Sequence, residues 1–303
     1  MFQAQDEAVL TSFEEALSQS AMSSSTITNY LADLRTFLRW GQHEFDSEFS
    51  LLDVNQEHIR LYRYHLVEKL NRATSTVNRH LMALKKFFTF ANRLGIVSSN
   101  PLLGVALVQD DEQVMIQPLD EADVEKLLAA AQNGARASLA RRDVAILTLL
   151  IYAGLRVSEI VNLRKEDLIF DHPGIRLRVC RPQDEEKCRH LTLPQIVYKK
   201  LSSYLAVRPQ TAISNCLFLN QRGRPISERT VQRIVSDCGR AADLEGVSAQ
   251  ILRRTFAWQR FQATNDLELV SQELGHQTKA ITAQYLLIQE PSGSRHGDLT
   301  SLV

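Results

Sequence analysis

Apolar residues at helical spacing dominate the first third of the chain and restrict what it can fold into. The clearest stripe returns every three or four positions, at Val77, Leu81, Leu84, Phe88 and Ala91. This period is typical of a helix that buries one face. Similar stripes begin after Ser23, a candidate helix cap, and around Ile59. We therefore predict a helices-only unit over residues 1–104, ending near Asn100-Pro101 because a residue before proline avoids the helical region.

The charges of the chain cancel in total but are distributed unevenly. The sequence holds 35 Lys and Arg against 35 Asp and Glu. Residues 1–59 carry two basic and ten acidic side chains, whereas residues 60–93 carry eight basic and one acidic. Residues 222–260 carry eight arginines and four acidic residues. A polyanion meets the local field rather than the net charge, so the two basic blocks are candidate nucleic-acid contacts. The alternative is an ordinary solvated helix face.

Within these blocks, basic residues recur on the polar faces of predicted helices. Arg79, Lys86 and Arg93 are spaced by seven residues, so they share a face away from the apolar stripe. Arg229 and Arg233 share a face of a second helix, on which Val231, Ile234, Val235 and Cys238 form the apolar side. The candidate DNA-binding residues of the two blocks are Arg72, Arg79, Lys86, Arg93, Arg229 and Arg233.

The remainder of the chain has a mixed pattern. Residues 105–117 show no period and carry an acidic run, which predicts a linker before a helix capped by Asp120. Short strand-like segments follow at 167–170, 175–180 and 188–193, and helical patterns return from Ser227 onward. We predict a mainly α protein with a small antiparallel sheet, in which the second unit, residues 118–303, is α+β.

Several classes of protein lack their sequence signatures here. No segment approaches the ~20 apolar residues that span a bilayer, and the acidic N-terminus does not resemble a signal peptide. The four cysteines, Cys180, Cys188, Cys216 and Cys238, form no CxxC pair and no zinc-type cluster. We expect a reduced, cytoplasmic protein with no metal and no membrane partner. The glycine-rich motifs of ATP and dinucleotide sites are also absent.

Three short segments carry candidate chemistry. They are Gly154-Leu155-Arg156-Val157-Ser158-Glu159, Gln250-Ile251-Leu252-Arg253-Arg254-Thr255, and Leu274-Gly275-His276 followed nine residues later by Tyr285. Each alone has an ordinary structural interpretation. These interpretations are an arginine paired with Glu159 at a helix end, surface charge, and a half-buried histidine or tyrosine.

Taken together, and in this order and spacing, the three segments resemble the motifs of the tyrosine recombinase (lambda-integrase) family, and of its Xer-like members in particular. The resemblance covers nearly the whole chain. It implies a SAM-like core-binding domain over residues 1–104 and a catalytic domain over residues 118–303. It further implies a site-specific recombinase that cleaves and rejoins DNA through a covalent 3′-phosphotyrosine at Tyr285, without cofactor or metal.

The chemistry of these residue types is consistent with the implied reaction. Attack on a phosphodiester builds negative charge, which the guanidinium groups of Arg156 and Arg253 and a donor on His276 would neutralise. A tyrosine hydroxyl is a poor nucleophile unless a cationic pocket favours its anion. Arginines in this role would replace a metal or ATP.

The chain departs from the family's motifs at a few positions. Gln250 stands where the family has a histidine three residues before the second arginine, and Arg254 stands where another histidine is usual. Gln250 can donate a hydrogen bond to phosphate but cannot act as an acid or base. The family's general-acid lysine lies in the turn between the second and third strands. Here Arg181 to Lys187 forms that segment, and we assign the role to Lys187, with a surface ion pair to Glu185 or Glu186 as the alternative.

The resemblance also implies the partners. These are double-stranded DNA at a specific inverted-repeat site and further copies of the chain, with four protomers in the synaptic complex and a monomer without DNA. A tail after Pro291 would dock on a neighbouring protomer. Two alternatives stay open at this point: a catalytically weakened DNA-binding or architectural protein on the same fold, and a tyrosine-type topoisomerase that relaxes DNA without site preference.

Overall fold

The chain folds into two compact units, residues 1–113 and 114–303. The computed structural model describes residues 3–20, 22–109, 117–133, 137–171, 174–181, 184–209 and 214–287, without the side chains of 137, 171, 174, 181, 184–187 and 287. The predicted boundaries at residues 104 and 118 remain a prediction, since part of the segment between them lies outside these ranges. No helix in the described ranges is long and apolar enough to cross a membrane.

The first unit is built from helices, as the apolar stripes predicted. Its α-helices are α1 (Ala4–Ser18), α2 (Ser24–Glu44), α3 (Gln56–Tyr64) and α4 (Thr74–Arg93). A 3-10 turn at Leu51–Asp53 precedes α3, and a π turn at His65–Lys69 continues it. Ser23 caps α2 by accepting a hydrogen bond from the backbone N–H of Thr26. The predicted α4 stripe is entirely buried, so hydrophobic burial of one face fixes this helix in the bundle.

A buried polar network crosses the core of this first unit. The Asp33 carboxylate pairs with Arg79 and lies 3.4 Å from Nε2 of His80. On the other side of the imidazole, Nδ1 lies 3.0 Å from the hydroxyl of Tyr62. Arg79 is therefore committed to a buried carboxylate, and its loss would leave Asp33 without its main counter-charge.

The segment predicted as a linker begins against the first unit. Val105 and Val108 pack on its hydrophobic core. The side chain of Asn78 exchanges two 2.9 Å hydrogen bonds with the backbone of Val108. Residues 110–116, which include the acidic run, lie outside the described residues.

The second unit is α+β, and the predicted fold class is confirmed. Its helices are α5 (Glu121–Gln132), α6 (Ala137–Tyr152), α7 (Val157–Asn162), α8 (Gln195–Leu205), α9 (Glu228–Ala241), α10 (Ala249–Thr264), α11 (Leu267–Leu274) and α12 (Lys279–Leu287). Its antiparallel sheet has the order β1 (Leu168–Asp171), β2 (Gly174–Arg181) and β3 (Asp184–Leu193). Asp120 caps α5 as predicted, through the backbone N–H of Asp123 at 2.8 Å. The main core lies between α6, the sheet and the helices around them.

Strand β3 begins earlier than the sequence indicated. The predicted strand started at residue 188, but β3 starts at Asp184, so Lys187 lies within a strand rather than in the turn. The pairing of β2 with β3 extends to Arg181 and Asp184, and this longer ladder explains the difference.

The expectation that all cysteines are reduced is wrong for one pair. Cys180 and Cys188 are joined by a disulfide, with Cα atoms 4.1 Å apart. The antiparallel register sets these residues directly opposite each other on β2 and β3. A pair of this kind has no CxxC signature because the strand register, not the sequence spacing, brings the thiols together. Cys216 and Cys238 are free.

Candidate active site

A buried carboxylate, Glu159 on the first turn of α7, organises the candidate site. Oε2 of Glu159 accepts the backbone N–H of Arg156 at 2.8 Å, which caps the helix, and Oε1 lies 3.1 Å from the Arg156 guanidinium. Arg189 on β3 binds both carboxylate oxygens, at 2.8 and 2.9 Å. Such a two-point contact fixes both planar groups in orientation.

Arg253 reaches the same carboxylate from α10. Its Nη1 lies 3.9 Å from Oε2 of Glu159 and donates to the carbonyl of Gly154. Its Nη2 donates to the carbonyl of Leu274 at 2.6 Å. Arg253 is only 4% exposed, and an arginine is rarely so buried unless its donors are satisfied. The guanidinium therefore has a fixed direction before any substrate arrives.

The turn after α11 joins the arginines to the remaining motif. Arg156 donates to the carbonyls of Leu274 and Gly275 at 3.3 and 3.5 Å. Arg189 donates to the carbonyl of Glu273 at 2.8 Å. The carbonyls of Glu273 and Leu274 lie at the C-terminal end of α11. Carbonyl groups there have no partner within the helix and carry partial negative charge, so they attract cations. The three guanidinium groups thus hold this turn in place.

Two glycines of the motifs are required by their surroundings. Gly154 has φ +59°, and a Cβ there would lie 2.3 Å from the ring of Phe256. Gly275 has φ +65°, and a Cβ there would lie 2.9 Å from the Arg189 guanidinium. Both positions combine a left-handed backbone with a close approach, so only glycine fits without a shift.

His276 follows this turn and is held in one tautomer. Its Nε2 lies 3.2 Å from Nη2 of Arg253, and its Nδ1 lies 2.8 Å from the hydroxyl of Thr282. Arginine only donates, so Nε2 accepts and Nδ1 carries the proton that is donated to Thr282. Burial, together with the charges of Arg253, Arg156 and Arg189, lowers the pKa of His276 from 6.5 to about 4. The imidazole is therefore neutral at neutral pH.

Tyr285 on α12 lies beside this cluster. Its ring centroid is 5.5 Å from that of His276, with the planes at 65°. The guanidinium carbon of Arg254 lies 5.1 Å from the same centroid. Leu286, the next residue, belongs to a buried cluster with Phe256 and Ala257 of α10 and with Val270 and Leu274 of α11, which holds α12 beside Arg253 and Arg254.

The electrostatics of the site favour an anion. Although burial acts in the opposite direction, hydrogen bonds and charge from Arg189 and Arg156 hold the pKa of Glu159 below its ordinary value. Burial, reinforced by the charge of Arg156, lowers the pKa of Arg253 to about 10, so it stays protonated at neutral pH. One carboxylate thus faces three guanidinium groups, and the excess of positive charge is suited to a phosphate.

Of the five predicted catalytic residues, four come together in the structure as described above: Arg156, Arg253, His276 and Tyr285. Gln250 is exposed on the first turn of α10, three residues before Arg253. The side chain of Lys187 lies outside the described residues, as do residues 182–183 of the hairpin and the tail after residue 287.

Sequence reasoning missed Arg189 and underestimated Glu159. The pairing of Arg156 with Glu159 was foreseen only as an ordinary contact at a helix end. Arg189 belongs to no helical motif and enters the site through the sheet register, opposite Val179. The signal in the sequence was the alternation of residues 188–193, which sets Arg189 on the same face of the strand as Leu191 and Leu193.

Of the candidate DNA-binding residues in the first unit, Arg79, Lys86 and Arg93 lie on α4, and Arg72 lies in the loop before it. Arg72, Lys86 and Arg93 are exposed in the first unit. On α9, Arg229 and Arg233 are exposed and line a surface depression with Arg240, while Val231, Ile234 and Val235 face the core. Within the described ranges, no group of three or more His, Cys, Asp or Glu side chains is arranged to hold a metal ion.

The neutral state of His276 predicts a pH-dependent stability. The folded pKa lies below the ordinary 6.5, so the unfolded chain binds more protons between about pH 4 and 6.5. The free energy of unfolding should therefore fall as the pH drops through this window. We expect a smaller fall in His276→Gln, whose amide oxygen can still accept from Arg253. Urea unfolding of both proteins at pH 7 and pH 5 measures the difference, and equal falls would contradict a depressed pKa.

Comparisons with known proteins decide the family. The model of the phage integrase family matches residues 117–290, and the model of the phage integrase N-terminal SAM-like domain matches residues 10–95. The first of these matches alone covers more than half of the chain. The chain belongs to the phage integrase family. The resemblance inferred from the three motifs is thereby confirmed.

Similar proteins of this phage integrase family include curated relatives and solved structures. Tyrosine recombinase XerC of Pelobacter propionicus is 30% identical over 265 residues, which cover 87% of this chain and 85% of the relative. A structure of XerH site-specific recombinase bound to a palindromic difH substrate has a TM-score of 0.72 at 20% identity, over 95% and 87% of the two chains. A lambda integrase tetramer bound to a Holliday junction has a TM-score of 0.69 at 15% identity, over 97% and 79%. The two structures support the fold.

Proposed function

We propose that this phage integrase family member is a site-specific DNA recombinase that cleaves and rejoins strands through a covalent 3′-phosphotyrosine. The observation that carries the proposal is the convergence of Arg156, Arg253 and His276 beside Tyr285. A phosphodiester is attacked when the charge developing on its oxygens is neutralised by groups already in place. The arginines here are fixed by Glu159 and by backbone carbonyls before DNA binds.

Each residue of the site has a proposed role. Arg156 and Arg253 bind the scissile phosphate, and the Tyr285 hydroxyl attacks it. His276 accepts from Arg253, so we propose that it orients this guanidinium toward the phosphate. Lys187 is proposed as the general acid that protonates the leaving 5′ oxygen, and Gln250 as a donor to the phosphate. These last two roles rest on the family motif.

Each of the two units has a proposed role in the reaction. Residues 1–104 would form the core-binding domain and residues 118–303 the catalytic domain, joined by residues 105–117. Their exposed basic residues would contact DNA phosphates. Double-stranded DNA with an inverted-repeat site would bind two protomers, and two such sites would bind a tetramer. Lambda integrase binds a Holliday junction as a tetramer. We also propose that the protein acts in the cytoplasm, where chromosomal DNA is accessible.

A selection experiment tests the proposal. A randomised duplex library would be passed over the Tyr285→Phe protein, which is expected to bind without cleaving, and the retained DNA sequenced. We expect the retained duplexes to share one inverted-repeat sequence, here called the selected site. The unsubstituted protein should recombine a plasmid that carries two copies of it.

The alternatives give different results in the same experiment. Relaxation of plasmids that lack the selected site would indicate a topoisomerase. Binding of the selected site with no covalent product from the unsubstituted protein would indicate an architectural protein. Either outcome would overturn the proposed recombinase function.

Binding to the selected site should depend strongly on salt although the net charge is zero. Each phosphate contact contributes a slope of about −0.9 to log K against log salt. We expect alanine at Arg72, Lys86 and Arg93 together to reduce the slope by up to nearly three units. Arg79 is excluded from this variant because it neutralises the buried Asp33.

A matched variant controls for the loss of charge itself. Alanine at Lys126, Lys199 and Lys200 removes three positive charges from α5 and α8, outside both basic blocks. Titrations with the selected site at several salt concentrations should leave the slope of this control unchanged. An equal reduction of the slope in both variants would mean that Arg72, Lys86 and Arg93 are ordinary solvated side chains that do not contact DNA.

A further inference from the structure

Two adjacent arginines of α10 point to different parts of the site. Arg253 donates to the carbonyls of Gly154 and Leu274 and contacts His276. Arg254 instead places its guanidinium carbon 5.1 Å from the centroid of the Tyr285 ring. Neighbouring residues on a helix are rotated by about 100°, so one turn of α10 presents one cation to the carbonyl cluster and another to the tyrosine.

Arg254 is a buried cation for which the described residues supply no carboxylate partner. It is 8% exposed. Its Nε has no hydrogen-bond partner among the described residues, and no carboxylate of those residues forms an ion pair with it. Burying an unpaired charge is costly, so such a position is uncommon in structures unless another interaction offsets the cost.

The face of the Tyr285 ring supplies that interaction. The ring's π electrons attract a cation within about 6 Å of the centroid, and the attraction strengthens when water is excluded. The contact also acts on the tyrosine. Arg254 contacts the ring, the His276 ring lies 5.5 Å from it, and Leu286 anchors α12 on the core. The direction of the Tyr285 side chain is therefore set by groups from α10 and from the turn after α11.

We propose that Arg254 is a positioning residue for the nucleophile, which orients the Tyr285 ring and stabilises the phenolate that forms during attack. The inference rests on the proposed recombinase function. In that reaction the tyrosine hydroxyl gives up its proton to a base, its oxygen forms a bond to phosphorus, the bond from phosphorus to the 5′ oxygen breaks, and the leaving oxygen takes up a proton. A cation at the ring face stabilises the first of these changes without touching the phosphate.

Charged and titratable groups from three elements lie around Tyr285. From α10 these groups are Arg253 and Arg254, and from the turn after α11 the group is His276. On α12 itself, Lys279 pairs with Glu268 of α11. His276 stays neutral above about pH 5 because its pKa is about 4. Arg254 is therefore the cation that lies at the face of the Tyr285 ring.

The test measures the initial rate of covalent adduct formation on a nicked duplex carrying the selected site, over a range of duplex concentrations. We expect Arg254→Met to slow the reaction about tenfold near pH 7, comparable to the loss of one cation–π contact. The deficit should persist at saturating concentrations of the duplex, because the contact acts on the attacking group and not on DNA binding. Arg254→Lys, which keeps a cation, should recover part of the rate.

Controls separate this inference from a folding defect and from the proposed function. Thermal unfolding and binding of the duplex check that Arg254→Met is folded, and Arg254→Gln carries the same expectation if it is not. Arg260→Met removes another arginine of α10, one that pairs with Glu273, and should leave the rate nearly unchanged. No deficit in Arg254→Met, or a rate for Arg254→Lys no higher than that of Arg254→Met, would overturn the role of Arg254. Absence of adduct from the unsubstituted protein would instead overturn the proposed function.

Discussion

Replacing Arg253 or Arg156 with alanine is expected to lower the rate of DNA cleavage by at least ~10²-fold, since each removes a preorganised charge from the transition state. Both guanidinium groups are fixed by Glu159 and by the carbonyls around Leu274. The side chains of Arg156 and Arg253 lose their conformational freedom when the protein folds, so no further ordering of them is needed for phosphate binding. The rate of covalent adduct formation on the nicked selected site measures the effect, with DNA binding measured in parallel.

The arginine variants need controls for structure as well as charge. Arg253→Lys keeps the charge but loses the planar fork that reaches two carbonyls, so it should recover only part of the rate. Arg260→Ala removes an arginine of the same helix outside the Glu159 cluster and should reduce the rate far less. If Arg253→Ala and Arg260→Ala had equal effects, the motif assignment would be wrong.

Replacing Tyr285 with phenylalanine is expected to abolish the covalent adduct while leaving DNA binding nearly unchanged. Only the hydroxyl is lost, and the ring can keep its contacts with His276 and Arg254. Gel analysis of denatured protein–DNA mixtures measures the adduct, and titration with the selected site measures binding. Tyr152→Phe is the matched control, because Tyr152 is half-buried on α6 and packs against the main core. The Tyr152→Phe protein should form the adduct normally.

Much of the fold follows from local sequence signals. The stripe of α4, the cap at Ser23 and the cap at Asp120 are local features, and each determines an element without reference to the rest of the chain. Short strand-like segments also locate the three strands of the small sheet, and the second and third of these segments alternate in the strand period. Their ends were less certain, because the extension of β3 to Asp184 depends on pairing with β2.

The candidate site was only partly accessible from the sequence. The three motifs place Arg156, Arg253 and His276 far apart in the chain, and it was the family resemblance that joined them. Arg189 and the Cys180–Cys188 disulfide depend on the register of β2 with β3, which no local pattern specifies. The direction of Arg254 depends on where α12 packs. Long-range packing therefore supplied what periodicity could not.

The most direct test of the account is to identify the residue that becomes linked to DNA. The unsubstituted protein would be trapped on the nicked selected site, digested with a protease and a nuclease, and the nucleotide-bearing peptide sequenced by mass spectrometry. The account predicts a single peptide in which Tyr285 is joined through a phosphate to the 3′ oxygen of a nucleotide. Attachment at another residue, or to a 5′ oxygen, would contradict it.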